Sequence, residues 1–103
     1  MTPQRGEIIR IKLNPTEGRE QAGSARPCLV ISNTRYNEKR KGMAIVMPIT
    51  SVQKPGIKTM IPIPEDAKVR GSVIAEQVRT VDLSTRWWRT TQEVLEKRWV
   101  RVI

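Results

Sequence analysis

Glu7-Ile8-Ile9-Arg10-Ile11-Lys12-Leu13 places apolar residues at 9, 11 and 13 and polar ones at 10 and 12. That alternation is the two-residue period of a strand with one buried face, and it predicts a first strand here. Working outward, four more β-rich runs follow, each bounded by Gly, Pro or charged turns. They are Pro27 to Ser32, Met43-Ala44-Ile45-Val46-Met47-Pro48-Ile49, Lys58-Thr59-Met60-Ile61-Pro62-Ile63, and Ser72 to Val81 taken as one run. The intervening Asn14 to Arg26 holds Pro15, Gly18, Gly23 and Ser24 with few apolar residues, which predicts a loop long enough to carry function. Thr34-Arg35-Tyr36-Asn37-Glu38-Lys39-Arg40-Lys41, closed by Gly42, predicts a short helix. Thr90-Thr91-Gln92-Glu93 reads as a capping box, with Leu95, Trp99 and Val102 following at helical spacing, so a C-terminal amphipathic helix is expected. No repeat, linker or low-complexity segment divides the chain. A mainly β single domain over 1–103, a compact β-barrel with helical additions, is the simplest architecture.

Charge narrows the class of partner. The chain carries 19 Lys plus Arg against 10 Asp plus Glu, a net charge of +9, with the basic residues spread along it. A polyanion is the expected partner, because attraction to phosphate is independent of sequence and of any later chemistry. Only 38% of residues are apolar, no run is long enough to cross a membrane, and no hydrophobic segment follows the start, so a cytoplasmic protein is expected. With no histidine and one cysteine, zinc sites built on imidazole and thiolate and catalytic Ser-His-Asp or Cys-His sets are excluded. Cys28, inside Pro27-Cys28-Leu29-Val30-Ile31, reads as core filler in preference to a nucleophile. Any acid/base chemistry falls to carboxylates, Lys, Tyr, Arg or the substrate itself. No metal or cofactor is expected.

Three segments place unusual polar residues at strand ends: Gly18-Arg19-Glu20-Gln21-Ala22-Gly23-Ser24-Ala25-Arg26-Pro27, Pro48-Ile49-Thr50-Ser51, and Glu76-Gln77-Val78-Arg79-Thr80-Val81-Asp82. Residues beside strands are held more rigidly than loop tips, which suits them to positioning a phosphodiester. In this order, and with Arg5-Gly6-Glu7-Ile8 ahead of them and Pro15-Thr16-Glu17 opening the loop, the segments resemble the MazF/PemK/Kid family of toxin endoribonucleases. The resemblance spans Arg5 to Arg86. It implies an SH3-like β-barrel with a C-terminal helix, a homodimer, metal-free cleavage of single-stranded RNA at short motifs, and control by an acidic antitoxin.

By position, Arg26 and Thr50 match the residues the family uses at the scissile phosphate. A guanidinium presents a planar fork to phosphate oxygens, and a threonine hydroxyl hydrogen-bonds the same group. The plainer readings are a surface arginine beside a strand and a strand-end hydroxyl capping backbone groups. Glu20 and Glu76 are the candidate carboxylates for orienting the arginine or taking the 2′-OH proton, with an ion pair to Arg79 the plainer reading of Glu76. Arg19, Gln21, Ser51, Gln77 and Arg79, in the same segments, are the candidates for holding RNA.

The chain departs from parts of the family. Arg19 stands where some members have histidine and Ile74 where some have arginine, an extra residue precedes Arg26, and the terminal region is short. Arg86-Trp87-Trp88-Arg89 resembles a base-stacking platform, but in a chain without Phe the tryptophans read better as hydrophobic mass. Two other classes stay open: a non-catalytic, CcdB-like toxin that binds a protein such as DNA gyrase, and a basic RNA-binding barrel without chemistry.

Overall fold

The computed structural model describes residues 2–13, 25–52, 54 and 56–100. In chain order the elements are β1 Glu7–Ile11, β2 Arg26–Val30, α1 Thr34–Lys39, β3 Met43–Thr50, β4 Met60–Pro62, β5 Ser72–Ile74, β6 Arg79–Asp82, β7 Trp88–Val94 and α2 Lys97–Val100. The strands form one antiparallel sheet in the order β4-β5-β3-β2-β1-β7, with β6 also paired to β3. The expected mainly β fold is present. The loop expected over Asn14 to Arg26 lies outside the described residues except for its last two.

The first strand buries both faces instead of one. Ile8 joins Leu29, Met47, Ile49 and Val73 in one cluster, while Ile9 and Ile11 join Cys28, Val30, Val46 and Val81 in another. Neighbouring residues of a strand point to opposite faces, so β1, β2 and β3 run between two small cores. Asn37 of α1, fully buried, donates to the Pro3 carbonyl at 2.9 Å and accepts from the Ser32 hydroxyl, tying the start of the chain to the helix.

Three further expectations fail. The run 72–81 is not one strand: β5 and β6 are separated by a 3₁₀ turn, Ala75–Gln77. Both lie on the same edge of β3, where Ile49 faces Val73 and Val46 faces Arg79. The register therefore jumps by the length of that turn.

The barrel does not close. β4 and β7 end the sheet and share no ladder among the described residues.

The capping box does not start a helix. Thr90 to Glu93 lie in β7, whose register with β1 shifts between Glu7 and Ile9, and Gln92 takes φ +66°. The groups meant for a helix cap serve this bulge. The Thr91 hydroxyl donates to the Ile8 carbonyl at 2.6 Å, and the Thr90 hydroxyl accepts from Gln92 N–H at 2.8 Å. An isolated helix has a costly nucleus, whereas β1 offers a ready edge with its backbone groups unpaired. What remains helical is the short α2, which sets Trp99 and Val100 against the first cluster.

Candidate functional site

Arg26 is the first residue of β2 and Thr50 the last of β3. Cys28 faces Pro48 at the end of that ladder, and carrying its register two residues further aligns Arg26 with Thr50. The row extends both ways: Ile11 faces Arg26 and Trp88, and Ser72 faces Thr50. Residues opposite one another share a face, so the guanidinium and the hydroxyl start from adjacent strands on the same side of the sheet. The Thr50 hydroxyl oxygen accepts from Val52 N–H at 3.1 Å. Among the described residues its own hydrogen meets no acceptor, so the strand-end and ligand-binding readings of Thr50 are compatible. Behind Thr50 runs Gly71, with φ +130°, where a Cβ would overlap the Thr50 carbonyl oxygen. Glycine is required there by conformation and by space.

Arg26 and Thr50 line one open cleft of about 490 Å³ together with Ser51, Arg10, Lys68 and Arg70. Among the described residues it has four cations and no carboxylate in its wall. Arg10 also stands opposite Arg89 of β7, a like-charge pair that is unfavourable until an anion screens it. A cleft built this way attracts phosphates or carboxylates.

The sequence did not single out Arg10, Lys68 or Arg70. Arg10 carried a weak signal, as the polar position between Ile9 and Ile11. Lys68 and Arg70 carried none, because only the closure of the loop between β4 and β5 brings them to β2 and β3.

The other candidates divide. Ser51 lines the cleft, exposed. Glu76 and Gln77 sit on the 3₁₀ turn, exposed, and the Glu76 carboxylate accepts from the Thr59 hydroxyl at 2.8 Å. Neither they nor Arg79 is among the described residues of the cleft wall. Arg79, facing Val46, acts electrostatically at Cys28. Arg19, Glu20 and Gln21 lie outside the described residues. The chain leading toward them is pinned where Arg86 donates to the carbonyls of Lys12 and Leu13 at 3.1 and 2.6 Å.

Cys28 lies under this surface, fully buried. Burial pushes its thiol up to about 12 against the pull of Arg26 and Arg79, so it stays neutral, as core filler should. Of the tryptophans, Trp88 packs on the second core and Trp99 on the first, as expected of hydrophobic mass. Trp87 lies under the Arg89 guanidinium, 5.9 Å from its carbon to the ring centre.

The chain is similar in sequence and in shape to known proteins. Residues 4–102 match the family model described as PemK-like, MazF-like toxin of type II toxin-antitoxin system. The endoribonuclease toxin ChpB of Escherichia coli (strain K12) is 33% identical over 106 residues, spanning 96% of this chain and 90% of that protein. Among solved structures, MazF (Form-I) from Deinococcus radiodurans superposes with a TM-score of 0.75 at 29% identity, covering 99% of this chain and 92% of that one. A MazE-MazF crystal structure (Form-II) from the same organism gives a TM-score of 0.75 at 26% identity, covering 99% and 90%.

Proposed function

The chain belongs to the PemK-like, MazF-like toxins of type II toxin-antitoxin systems, and from that premise we propose that it cleaves single-stranded RNA at short motifs without a metal. The observation that carries this reading is that Arg26 and Thr50 line the same cleft, walled by cations. The RNA brings its own nucleophile: the ribose 2′-oxygen attacks phosphorus, the bond to the 5′-oxygen breaks, and a 2′,3′-cyclic phosphate and a 5′-OH result. Arg26 stabilises the charge gathering on the phosphoryl oxygens, and the Thr50 O–H donates to one of them. The 2′-OH proton passes to a carboxylate, and solvent water protonates the departing 5′-oxygen. Glu76 is engaged with Thr59, whereas Glu20 precedes Arg26 closely in sequence, so Glu20 is the first to test as the base. Arg19, Gln21, Ser51, Gln77 and Arg79 are assigned to holding the flanking RNA. A protein-binding toxin would have no use for this pairing of Arg26 with Thr50.

The test is incubation of the purified chain with a long single-stranded RNA in EDTA, followed by end analysis. Cleavage leaving 2′,3′-cyclic phosphates is expected; loss of activity in EDTA, or 3′-OH ends, would sink the mechanism. The toxin is further proposed to act in the cytoplasm as a homodimer whose RNA groove crosses both subunits. No described helix is long and apolar enough to cross a membrane. β7 ends the sheet with Val94 exposed, a surface suited to burial against a second copy. Sedimentation as a monomer at micromolar concentration would contradict the dimer.

A further inference from the structure

The segment between β4 and β5 reaches the cleft with its own cations, and its placement depends on a side chain from the far end of the sheet. Ala67 is buried in the first core and Val69 packs on it, so the intervening Lys68 and the following Arg70 face outward, exposed, in the cleft wall. Gly71 closes the loop: its carbonyl accepts from Ile63 N–H at 2.9 Å, and its missing side chain lets the chain pass against the Thr50 carbonyl. Over the top, the Glu93 carboxylate accepts from Lys68 N–H at 2.8 Å and from Val69 N–H at 3.1 Å. Glu93 follows the β7 bulge at Gln92, and its own N–H donates to the Thr91 hydroxyl at 3.2 Å.

We infer that Lys68 and Arg70 form a second phosphate-gripping wall of the cleft, taking an RNA phosphate beside the scissile one, and that Glu93 is the positioning residue that holds this wall in place. The inference rests on the RNA-cleaving reading above. The physical reason is economy of freedom. Ala67 and Val69 fix the depth of the loop but not its rotation, and a carboxylate receiving two successive backbone N–H groups fixes that rotation. It also spends the Glu93 charge on the backbone, turned away from the RNA path. A single strand whose next phosphate is gripped is held in line at Arg26, which strengthens binding while leaving the reacting groups untouched.

The experiment combines Lys68→Ala/Arg70→Ala, Glu93→Ala and the three changes together, with Glu93→Gln as the conservative variant. Binding is read with a labelled, mixed-sequence 2′-O-methyl RNA that cannot be cleaved, over a range of salt, and cleavage with cleavable RNA below saturation. The double variant is expected to bind more weakly and to flatten the dependence of log affinity on log salt by about 1.4, two contacts at roughly 0.7 each for a single strand. Cleavage at subsaturating RNA should fall along with binding. Glu93→Ala should weaken binding in the same direction, Glu93→Gln should recover part of it, and Glu93→Ala should add little once Lys68 and Arg70 are gone.

An unchanged salt slope in the double variant overturns the second wall. An undiminished effect of Glu93→Ala in the triple variant overturns the positioning role. If Glu93→Ala does not fold, the salt slope of the double variant still decides the wall, and Glu93→Gln on both backgrounds decides the positioning. A native chain that neither binds nor cuts RNA overturns the parent reading and this one with it; one that cuts RNA but shows either failure above overturns this inference alone.

Discussion

At Thr50 one hydroxyl has two directions: its oxygen accepts from Val52 N–H, and its hydrogen, with no acceptor among the described residues, can turn to a phosphate. Thr50→Val should therefore lower cleavage without unfolding the chain, and Thr50→Ser, which keeps the hydroxyl, should restore most of it; equal rates in the valine variant would remove Thr50 from the chemistry. Arg26→Ala takes a charged donor from an exposed strand end, with an expected loss of roughly 10²- to 10³-fold in turnover at nearly unchanged stability. Arg26→Lys should recover little, since a point charge does not replace a planar fork. An unchanged single-turnover rate in Arg26→Ala would exclude it from the site. Cys28, two residues along the same strand, behaves oppositely. With the folded thiol raised to about 12 from 9.0, the folded state keeps a proton that the unfolded state loses. Its contribution is whole below pH 9.0 and is lost as pH rises toward about 12. Over that window the native chain should lose up to about 1.4 kcal/mol per pH unit more than Cys28→Ala. Denaturant midpoints of the two chains, compared across alkaline pH, check this, and parallel curves would refute it.

At the level of elements, the segments that were legible in sequence are those whose signal is local. β1 to β3 follow from apolar runs between turn residues, and α1 from its polar stretch, with Asn33 accepting from Arg35 N–H at its start. What sequence could not reveal depended on partners distant along the chain. Whether 72–81 is one strand or two is decided by which part of β3 each half must pair with. Whether Thr90-Thr91-Gln92-Glu93 caps a helix or forms a bulge is decided by the open edge of β1 and by the loop that Glu93 holds. The candidate site divides the same way. Arg26 and Thr50 were legible through family resemblance, while Arg10, Lys68 and Arg70 join them only through register and loop closure. Gly71 shows how tightly those non-local terms bind. Gly71→Ala puts a Cβ into the Thr50 carbonyl at a φ of +130°. The backbone strain alone costs about 1–3 kcal/mol. If Thr50 moves by about 1 Å, cleavage should fall on the order of 10²-fold. Chemical denaturation together with turnover tests both halves; an alanine variant with native stability and rate would show that the loop yields freely.

For the molecule as a whole, the excess of 19 basic over 10 acidic residues needs a counter-charge. On the proposed function RNA supplies it during cleavage, and an antitoxin segment rich in acidic residues would have the matching chemistry when the toxin is held inactive. A segment rich in Asp and Glu meets the same cations as a phosphate chain, and if it is disordered when free it can wrap the groove and fold on contact. If that segment occupies the cleft, Arg10, Arg26, Lys68 and Arg70 cannot serve both ligands at once. Inhibition should then be competitive: the apparent inhibition constant rises with RNA concentration, and both affinities fall as salt increases. The two slopes should differ in a readable way. Lys68→Ala/Arg70→Ala should flatten the salt dependence for RNA and for the acidic segment alike if the segment lies along this wall, but for RNA alone if it lies elsewhere. Titrating a labelled 2′-O-methyl RNA against the antitoxin segment, with native and doubly substituted toxin, separates these cases. A stable ternary complex in which RNA affinity is untouched by the segment would show that the inhibitor does not occupy the cleft of Arg26 and Thr50.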